Sequence, residues 1–176
     1  MPQSLTKVYV HLVFSTKYRQ PLIDDAIKDE LYVYLGGVCR ELECHPVRVG
    51  GYYDHIHILC ILSKKIALMK LLEEVKKRSS KWIKTKGRAY DEFYWQDGYG
   101  AFSVTPSQLD AVIHYIDNQY EHHEQTTFQD ECRGIYQKYD MEYNEHYVWD
   151  WYRIIAGITW IITGIRITES QGDAPC

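Results

Sequence analysis

The 176-residue sequence has no CxxC pair, no internal repeat and no low-complexity segment. Its five cysteines are Cys39, Cys44, Cys60, Cys132 and Cys176, an odd number without paired spacing. Such thiols suit a reducing compartment better than a disulfide scaffold. The N-terminal stretch MPQSLTKVYV also lacks the basic segment followed by an apolar one that a secretory signal requires. We therefore expect a cytoplasmic protein.

The apolar segment Ile154–Ile165 is too short to cross a membrane as a helix. It has twelve residues, whereas a transmembrane helix needs about 20. We therefore expect no membrane partner. The chain length is sufficient for one domain of ordinary size with a hydrophobic core.

An overall excess of positive charge is also absent, because the formal net charge is −4. The charge is unevenly distributed, however. Residues 64–88 contain ten Lys or Arg against two Glu, so this segment carries +8 and the remainder carries −12. A local cluster of this kind creates a field that can hold phosphates, so nucleic acid is a candidate partner.

Two histidines lie one residue apart in an apolar stretch, YYDHIHILCIL at residues 52–62. Ile, Leu and Tyr dominate the stretch and no Gly or Pro interrupts it, which predicts a β-strand. Because successive strand side chains point to opposite faces, His55 and His57 share one face, roughly 6.6 Å apart along the strand. Ile56 and Ile58 face the other way.

The His-x-His pair alone supports two interpretations. Neutral imidazole is a common metal ligand, but core histidines that bond neighbouring carbonyls give the same pattern more often. A zinc hydrolase would need further His or carboxylate ligands. A Mg²⁺ or Mn²⁺ site beside a phosphate needs fewer protein ligands, because substrate oxygens and water complete the coordination shell.

The clearest local signal is the start of a helix in SVTPSQLDAVIHYIDNQYEHH. Thr105 can cap this helix, Pro106 fits its first turn, and Gln108 completes a capping box. One turn apart, Tyr115 and Gln119 point in nearly the same direction, beside the apolar stripe and not within it. An ordinary helix would prefer Lys or Glu there, so this pair is a candidate for function.

The order of elements is β-α-β-β-α-β followed by a further helix. This order predicts an α+β fold, with a ferredoxin-like or RRM-like antiparallel sheet, helices on one face and a C-terminal helix that bears Tyr115. The expected strands are residues 5–14, 46–52, the strand with both histidines, and 101–104. The expected helices run from Asp24 or Asp25 to about residue 42, from about 66 to 85, and onward from Thr105.

Three segments together resemble the single-tyrosine transposases of the HUH superfamily, and more narrowly the IS-two-hundred/IS-six-hundred-and-five insertion-sequence family. They are DHIHIL, FYWQDGYGAFSV, and VIHYIDNQYEHH followed by FQDE, and the match covers about residues 5–150. The resemblance implies that His55, His57 and Gln119 hold Mg²⁺ or Mn²⁺ and that Tyr115 is the nucleophile. It also implies a homodimer, in which the tyrosine helix of one subunit can complete the site of the other, and a hairpin-bearing single-stranded DNA partner.

The implied activity is that of a DNA transposase, which cuts and rejoins single-stranded DNA through a covalent 5′-phosphotyrosine. Tyrosine suits this exchange, because phenolate leaves more readily than a sugar alkoxide and a DNA 3′-hydroxyl can reseal the bond without ATP. With an ordinary pKa of about 10, however, its proton must be removed with help from a metal or a base. The alternatives are a domesticated relative or replication-initiator nickase with the same chemistry, a non-catalytic RRM-like nucleic-acid-binding module, and, more weakly, a metal-dependent hydrolase.

The basic segment supplies candidate contacts to the DNA backbone, although a solvated amphipathic helix is the alternative. These side chains are Lys76, Lys77, Arg78, Lys81 and Lys84. In the following loop, Tyr94, Trp95 and Tyr99 can either stack on unpaired bases or anchor the loop in the core.

His122 and His123 can assist at the active site, because His122 lies about 60° from Gln119 around the helix, but we do not include them among the predicted site residues. We predict no functional role for His11, His45 and His146. For Asp54, a place in the turn before the histidine strand is the stronger expectation, ahead of orienting a ligand imidazole. We expect one HUH transposase domain at residues 1–150 and a C-terminal extension at residues 151–176, since relatives usually finish near a segment such as YVWD.

Overall fold

The computed structural model of the chain describes residues 5–148, which form a four-stranded sheet, six α-helices and three short 3-10 helices. The strands are β1 (Tyr9–Ser15), β2 (His45–Tyr52), β3 (His55–Ile61) and β4 (Gly100–Val104). The α-helices are α1 (Lys28–Glu41), α2 (Leu68–Lys84), α3 (Leu109–Asp117), α4 (Gln119–His123), α5 (Phe128–Lys138) and α6 (Glu145–Val148). The 3-10 helices are Lys17–Arg19, Arg88–Tyr90 and Pro106–Gln108.

The strand order in the sheet is β2-β3-β1-β4, and every neighbouring pair is antiparallel. Along the chain the order is β1-α1-β2-β3-α2-β4, so the predicted α+β, ferredoxin-like arrangement is confirmed. Strand β3 lies between β2 and β1, so the strand that carries both histidines is paired along both edges.

The two faces of the sheet are covered by different helices. Helices α1 and α2 pack on one face, and alternate residues of β1 and β3 point into this core. These residues are Val10, Leu12, Phe14, Ile56, Ile58 and Cys60. The opposite alternation faces α3, which packs against Leu59 through Ile116. His55 and His57 belong to this second face, as the strand periodicity predicts.

Two elements begin later than the sequence pattern indicates. Strand β1 begins at Tyr9, whereas Leu5 is 82% exposed and lies outside the sheet. Helix α1 begins at Lys28 and not at Asp24 or Asp25. The Asp24 carboxylate accepts hydrogen bonds from the backbone N–H groups of residues 26 and 27, both at 3.1 Å, and so forms a turn before the helix.

The helix predicted from Thr105 is divided in the structure. The predicted capping box is present and leads through a 3-10 turn into α3, which ends at Asp117. Asn118 interrupts the helix with φ −100° and ψ 24°, and its Nδ2 donates to the carbonyl oxygen of His114 over 2.8 Å. Tyr115 and Gln119 therefore lie on two helices and not on one.

The chain divides into two compact units, Met1–Met141 and Glu142–Cys176. The described part of the second unit contains helix α6. The expected boundary at residues 150 and 151, and the apolar segment Ile154–Ile165, lie outside the described residues. Within residues 5–148, no helix has both the length and the apolar character that a bilayer crossing requires.

Candidate metal and tyrosine site

Strand β3 buries both predicted histidine ligands, and His55 and His57 are each 0% exposed. The turn before the strand orients His55, because the imidazole Nδ1 donates to Asp54 Oδ1 over 2.7 Å. Asp54 therefore does more than form the turn that we expected of it. With its proton on Nδ1, His55 presents the lone pair of Nε2 to the interior of the site.

His57 is held by His11, a residue to which the sequence assigned no role. Nε2 of His11 lies 2.9 Å from Nδ1 of His57, and the two rings stack with centroids 5.1 Å apart. Burial, reinforced by His57, lowers the pKa of His11 to about 3, and burial also lowers the pKa of His57. Both rings are therefore neutral, and a His57 that donates from Nδ1 presents a lone pair at Nε2.

A glycine on β2 lets α3 approach the sheet closely enough to carry Tyr115 to these histidines. A Cβ on Gly50 would lie 2.8 Å from Cγ2 and 3.0 Å from the carbonyl oxygen of Ile116, the residue after Tyr115. A Cβ essentially never lies as close to another atom as the first distance, and the second is tighter than most Cβ contacts. Gly50 therefore helps to set the depth of the tyrosine.

The amide of Gln119 has its orientation fixed by its partners. Its Nε2 donates to the carbonyl oxygen of Tyr115 over 3.3 Å and to Oε1 of Glu131 over 3.1 Å. Its Oε1 therefore faces Nε2 of His55 at 3.0 Å. Gln119 is 1% exposed, so the predicted ligands His55, His57 and Gln119 are buried in one place.

Sequence reasoning missed Glu131, which α5 brings to the same place. Glu131 Oε1 accepts the hydroxyl of Tyr115 and lies 3.3 Å from Nε2 of His57, while Oε2 lies 3.6 Å from Nε2 of His55. One sequence signal could have found it. Glu131 lies between Phe128 and Cys132 on the buried side of an amphipathic helix, where a charged residue is unusual.

The unshared electron pairs of these residues converge. His57 Nε2 and Glu131 Oε2 have no hydrogen-bond partner among the described residues. Ligand atoms of His55, His57 and Glu131 all lie within 4.8 Å of one another. Buried acceptors repel one another unless a cation or a proton lies among them. Two imidazoles, a carboxylate and an amide oxygen therefore fit a divalent metal ion.

His123, which we did not include among the predicted site residues, lies beside this set. Its Nδ1 donates to the carbonyl oxygen of Thr126 over 2.7 Å, and its Nε2 lies 3.2 Å from Nε2 of His55 and 3.4 Å from Glu131 Oε2. Burial alone would lower the pKa of His123, but the Glu131 carboxylate outweighs burial and raises it. Glu131 therefore stabilises the protonated form of His123.

Tyr115 is a neutral phenol in this environment. Burial raises its pKa, and the Glu131 carboxylate raises it further. Burial also opposes ionisation of Glu131, but the neighbouring histidines, with His123 as the hydrogen-bond donor, lower its pKa overall. The carboxylate is therefore ionised, and it accepts a hydrogen bond from the hydroxyl of Tyr115. The Glu131 carboxylate thus lies between the hydroxyl of Tyr115 and the imidazoles of His55 and His57 in the same chain.

Lys76, one of the predicted DNA contacts, is hydrogen-bonded to a loop of its own chain. Its Nζ donates to the carbonyl oxygens of residues 96, 97 and 98, at 2.7, 3.2 and 2.7 Å. Burial lowers the pKa of Lys76 to about 8. The contacts of this side chain hold the loop that precedes β4, and a contact with DNA stays a prediction.

The other four predicted DNA contacts on α2 differ in their surroundings. Lys77 and Lys81 are exposed. Arg78 pairs with Glu74 and Glu41, and the ammonium of Lys84 lies 3.5 Å from the ring centroid of Tyr94. Their predicted contacts with DNA also stay predictions.

The loop aromatics fall into two groups. Trp95 is 7% exposed and packs edge-on against Phe14 with ring centroids 4.9 Å apart, so it belongs to the core. Tyr94 and Tyr99 are 51% and 45% exposed. Base stacking therefore stays a prediction for these two tyrosines.

Comparison with known proteins agrees with this fold. The family model described as "Transposase IS200 like" matches residues 4–119, well over half of the chain. This range includes His55, His57, Tyr115 and Gln119 and ends before Glu131. None of the curated proteins compared with the chain matches it significantly.

Two solved structures share the fold. One is a protein described as a transposase from Deinococcus radiodurans R1, with a TM-score of 0.53 and 20% identity over 68% of this chain and 98% of that one. The other is a REP-associated tyrosine transposase bound to a REP hairpin, with a TM-score of 0.52 and 13% identity over 72% of this chain and 74% of that one.

Proposed function

Since the chain belongs to the family of IS200-like transposases, we propose that it cuts and rejoins single-stranded DNA through a covalent 5′-phosphotyrosine at Tyr115. His55, His57 and Gln119, together with Glu131, would hold the divalent metal ion that this reaction uses. The observation that carries the proposal is the contact between the Tyr115 hydroxyl and Glu131, whose carboxylate lies 3.3 Å from His57 Nε2.

The residues of this chain account for the bond exchange. The hydroxyl oxygen of Tyr115 bonds to the phosphorus as the bond from phosphorus to the 3′ oxygen breaks, and its proton passes to Glu131 Oε1. The departing 3′ oxygen takes a proton from solvent, and the reverse exchange rejoins a strand. The metal, when bound, neutralises charge on the non-bridging phosphate oxygens.

The donor set favours Mn²⁺ over Mg²⁺. Mg²⁺ prefers carboxylate and water oxygens, whereas two imidazole nitrogens suit transition metals better. We therefore expect Mn²⁺ to bind the metal-free protein more tightly than Mg²⁺ does, as measured by calorimetric titration of the full chain with each ion alone.

Hairpin-bearing single-stranded DNA is the proposed partner. The similar structure described as bound to a REP hairpin supports this choice, as does the concentration of basic residues on α2. Lys77, Arg78, Lys81 and Lys84 contact the backbone in this proposal, and Lys76 contributes through the loop it holds. The family resemblance adds a homodimer. Because Tyr115 contacts Glu131 of its own chain, we propose that one subunit can hold a complete site without the tyrosine helix of its partner.

A denaturing gel tests the covalent step. The full chain is incubated with Mn²⁺ and hairpin-bearing single strands that carry different labels at their two ends. A 5′-phosphotyrosine retains the 3′-end label on the protein and releases the 5′-end label. Tyr115→Phe should lose the adduct completely, whereas Tyr120→Phe, a nearby tyrosine outside the proposed site, should retain it. An adduct that survives Tyr115→Phe would refute the assignment.

The same gel tests a second function that the His55–His57–Glu131 set favours. This is the His₂Glu ligand combination of catalytic zinc sites. A metal-dependent hydrolase would release a free 5′-phosphate and leave no protein attached to DNA.

The division into a transposase domain at residues 1–150 and a separate extension at residues 151–176 is part of the proposal. A chain that ends at Asp150 should fold and form the adduct like the full chain. Loss of folding would show that the extension belongs to the domain.

A further inference from the structure

An open cavity of about 370 Å³ adjoins the site, and the proposed function assigns it no role. Three segments line it: the turn after β1, the turn between β2 and β3, and the segment between α4 and α5. The lining residues are Arg19, Tyr52, Asp54, His123 and residues 124–128. The volume is in the lower part of the range of small-molecule pockets, roughly 300–1,000 Å³.

The cavity lies directly beside His55. Asp54 Oδ1 bonds Nδ1 of this histidine at 2.7 Å, and Nε2 of His123 lies 3.2 Å from its Nε2. The ring of Phe128 stacks on the same imidazole, with centroids 4.5 Å apart. A group in the cavity is therefore one side chain away from the proposed ligand atom. In a DNA strand, one sugar separates a phosphate from its base, so a phosphate at the site can place the neighbouring base here.

The chemistry of the lining suits a base better than a phosphate. Asp54 and Glu124 contribute carboxylates, which repel a second phosphate. Three aromatic rings contribute to the lining, and those of Tyr52 and His123 are 4.8 Å apart between centroids, so the half-buried ring of Tyr52 is the main surface for stacking. Arg19 supplies hydrogen-bond donors and the carboxylates supply acceptors, which together match the edge of an unpaired base.

The turn that carries Arg19 is strained. Tyr18 and Arg19 have φ values of 56° and 53°, a left-handed conformation that costs of order 1–3 kcal/mol for residues other than glycine. Hydrogen bonds hold the turn: the Thr16 hydroxyl donates to the carbonyl oxygen of Gln20 over 2.7 Å, and the Arg19 N–H donates to that of Thr16 over 3.0 Å. Strain of this kind is found where a side chain must be held at a functional position.

We propose that this cavity binds one unpaired nucleobase of the DNA strand, next to the phosphate that Tyr115 attacks. The base stacks on the aromatic lining and its polar edge meets Arg19 and the carboxylates. The position of the base relative to the reacting phosphate rests on the proposed function. The capacity of the cavity to bind a base does not.

Nuclear magnetic resonance tests the binding itself. The metal-free, ¹⁵N-labelled full chain is titrated separately with the four deoxynucleoside 5′-monophosphates, with deoxynucleosides and with inorganic phosphate. We expect nucleotides and nucleosides to shift the amides of Arg19 and residues 126–128, and inorganic phosphate to leave these amides in place. Shifts caused by phosphate alone, shifts confined to α2, or no binding at all would overturn the inference.

A glycine substitution separates binding from folding. Glycine adopts the left-handed conformation without strain, so Arg19→Gly should keep the fold, as measured by its melting temperature. It should weaken nucleotide binding about tenfold, as expected when an arginine that contacts a base is removed. Glu43→Gly relieves a similar conformation, φ 57°, far from the cavity and should leave binding unchanged. Equal nucleotide affinity in Arg19→Gly and the unmodified chain would overturn the inference.

The two proposals fail differently. If nucleotides bind in the cavity but no covalent DNA adduct forms, the base site stands and the transposase mechanism fails. If the adduct forms but no nucleotide binds in the cavity, the mechanism stands and the base site fails.

Discussion

The two faces of β3 are equally buried but have opposite energetic roles. Ile56 and Ile58 are 0% exposed and face the core under α1 and α2, where each buried side chain of this size contributes about 1.5–3 kcal/mol. His55 and His57 are also 0% exposed, but buried imidazoles beside a carboxylate cost free energy unless they are paired. The apolar face of the strand thus stabilises the sheet. This stability offsets the cost of holding the buried imidazoles of the polar face close to the Glu131 carboxylate.

The largest expected effect is on the polar face. His57→Asn removes a proposed ligand, so Mn²⁺ affinity should fall by more than about 100-fold, beyond the loss typical of residues that only support ligands. Calorimetric titration measures this affinity. His45→Asn changes an exposed histidine on β2 and serves as the control. Unchanged Mn²⁺ affinity in His57→Asn would contradict the proposed role of the polar face in metal binding.

On the apolar face, the effect should appear in stability. Ile58→Ala creates a cavity in the core and should lower the free energy of unfolding by about 2–5 kcal/mol, measured by urea denaturation. The folded fraction should bind Mn²⁺ with unchanged affinity. Val33→Ala, at a position that is 74% exposed, should change stability by less than about 0.5 kcal/mol. A lost metal site with undiminished stability in Ile58→Ala would contradict the proposed division of roles.

A smaller effect is expected at His11, which touches a ligand but not the metal. His11→Phe keeps a ring but removes the partner of His57 Nδ1, so Mn²⁺ affinity should fall about 10-fold. His11→Gln supplies an acceptor again and should recover part of the loss. If both variants bind Mn²⁺ like the unmodified chain, His11 does not orient His57.

The smallest effects should separate two lysines of α2. Lys76→Met loses the bonds to the loop and should lower the free energy of unfolding by about 1–3 kcal/mol, with an unchanged salt dependence of DNA binding. Lys81→Met should leave stability unchanged and reduce the slope of log affinity against log salt by about 1. The opposite pattern would make Lys76 the DNA contact and Lys81 the structural residue.

Local periodicity was sufficient to predict the sheet and the shared face of the two histidines. The alternation of β3 reports directly which residues share a face, and the capping box at Thr105 marks a helix start through contacts within four residues. The interruption at Asn118 depends instead on one side chain that bonds the backbone of His114, which a smooth apolar stripe does not reveal.

The remaining contacts of the site join residues that are far apart in the sequence, so local sequence patterns do not predict them. Glu131 reaches His57 across 74 residues of chain, and His11 reaches it across 46. Lys76 belongs to a basic cluster by composition, yet its partners lie about 20 residues later in a loop. Charge and spacing identify candidate functional residues. The packing of the fold then determines which of these side chains make structural contacts instead, as Lys76 does.

The most direct test of the central claim is to map the linkage on the protein. The full chain is incubated with hairpin-bearing single strands and Mn²⁺, digested with protease and nuclease, and analysed by mass spectrometry. We predict one peptide with an added nucleotide 5′-phosphate, and fragmentation should assign it to Tyr115. A nucleotide on Tyr120 or on any other residue, or cleaved DNA without a modified peptide, would contradict the account.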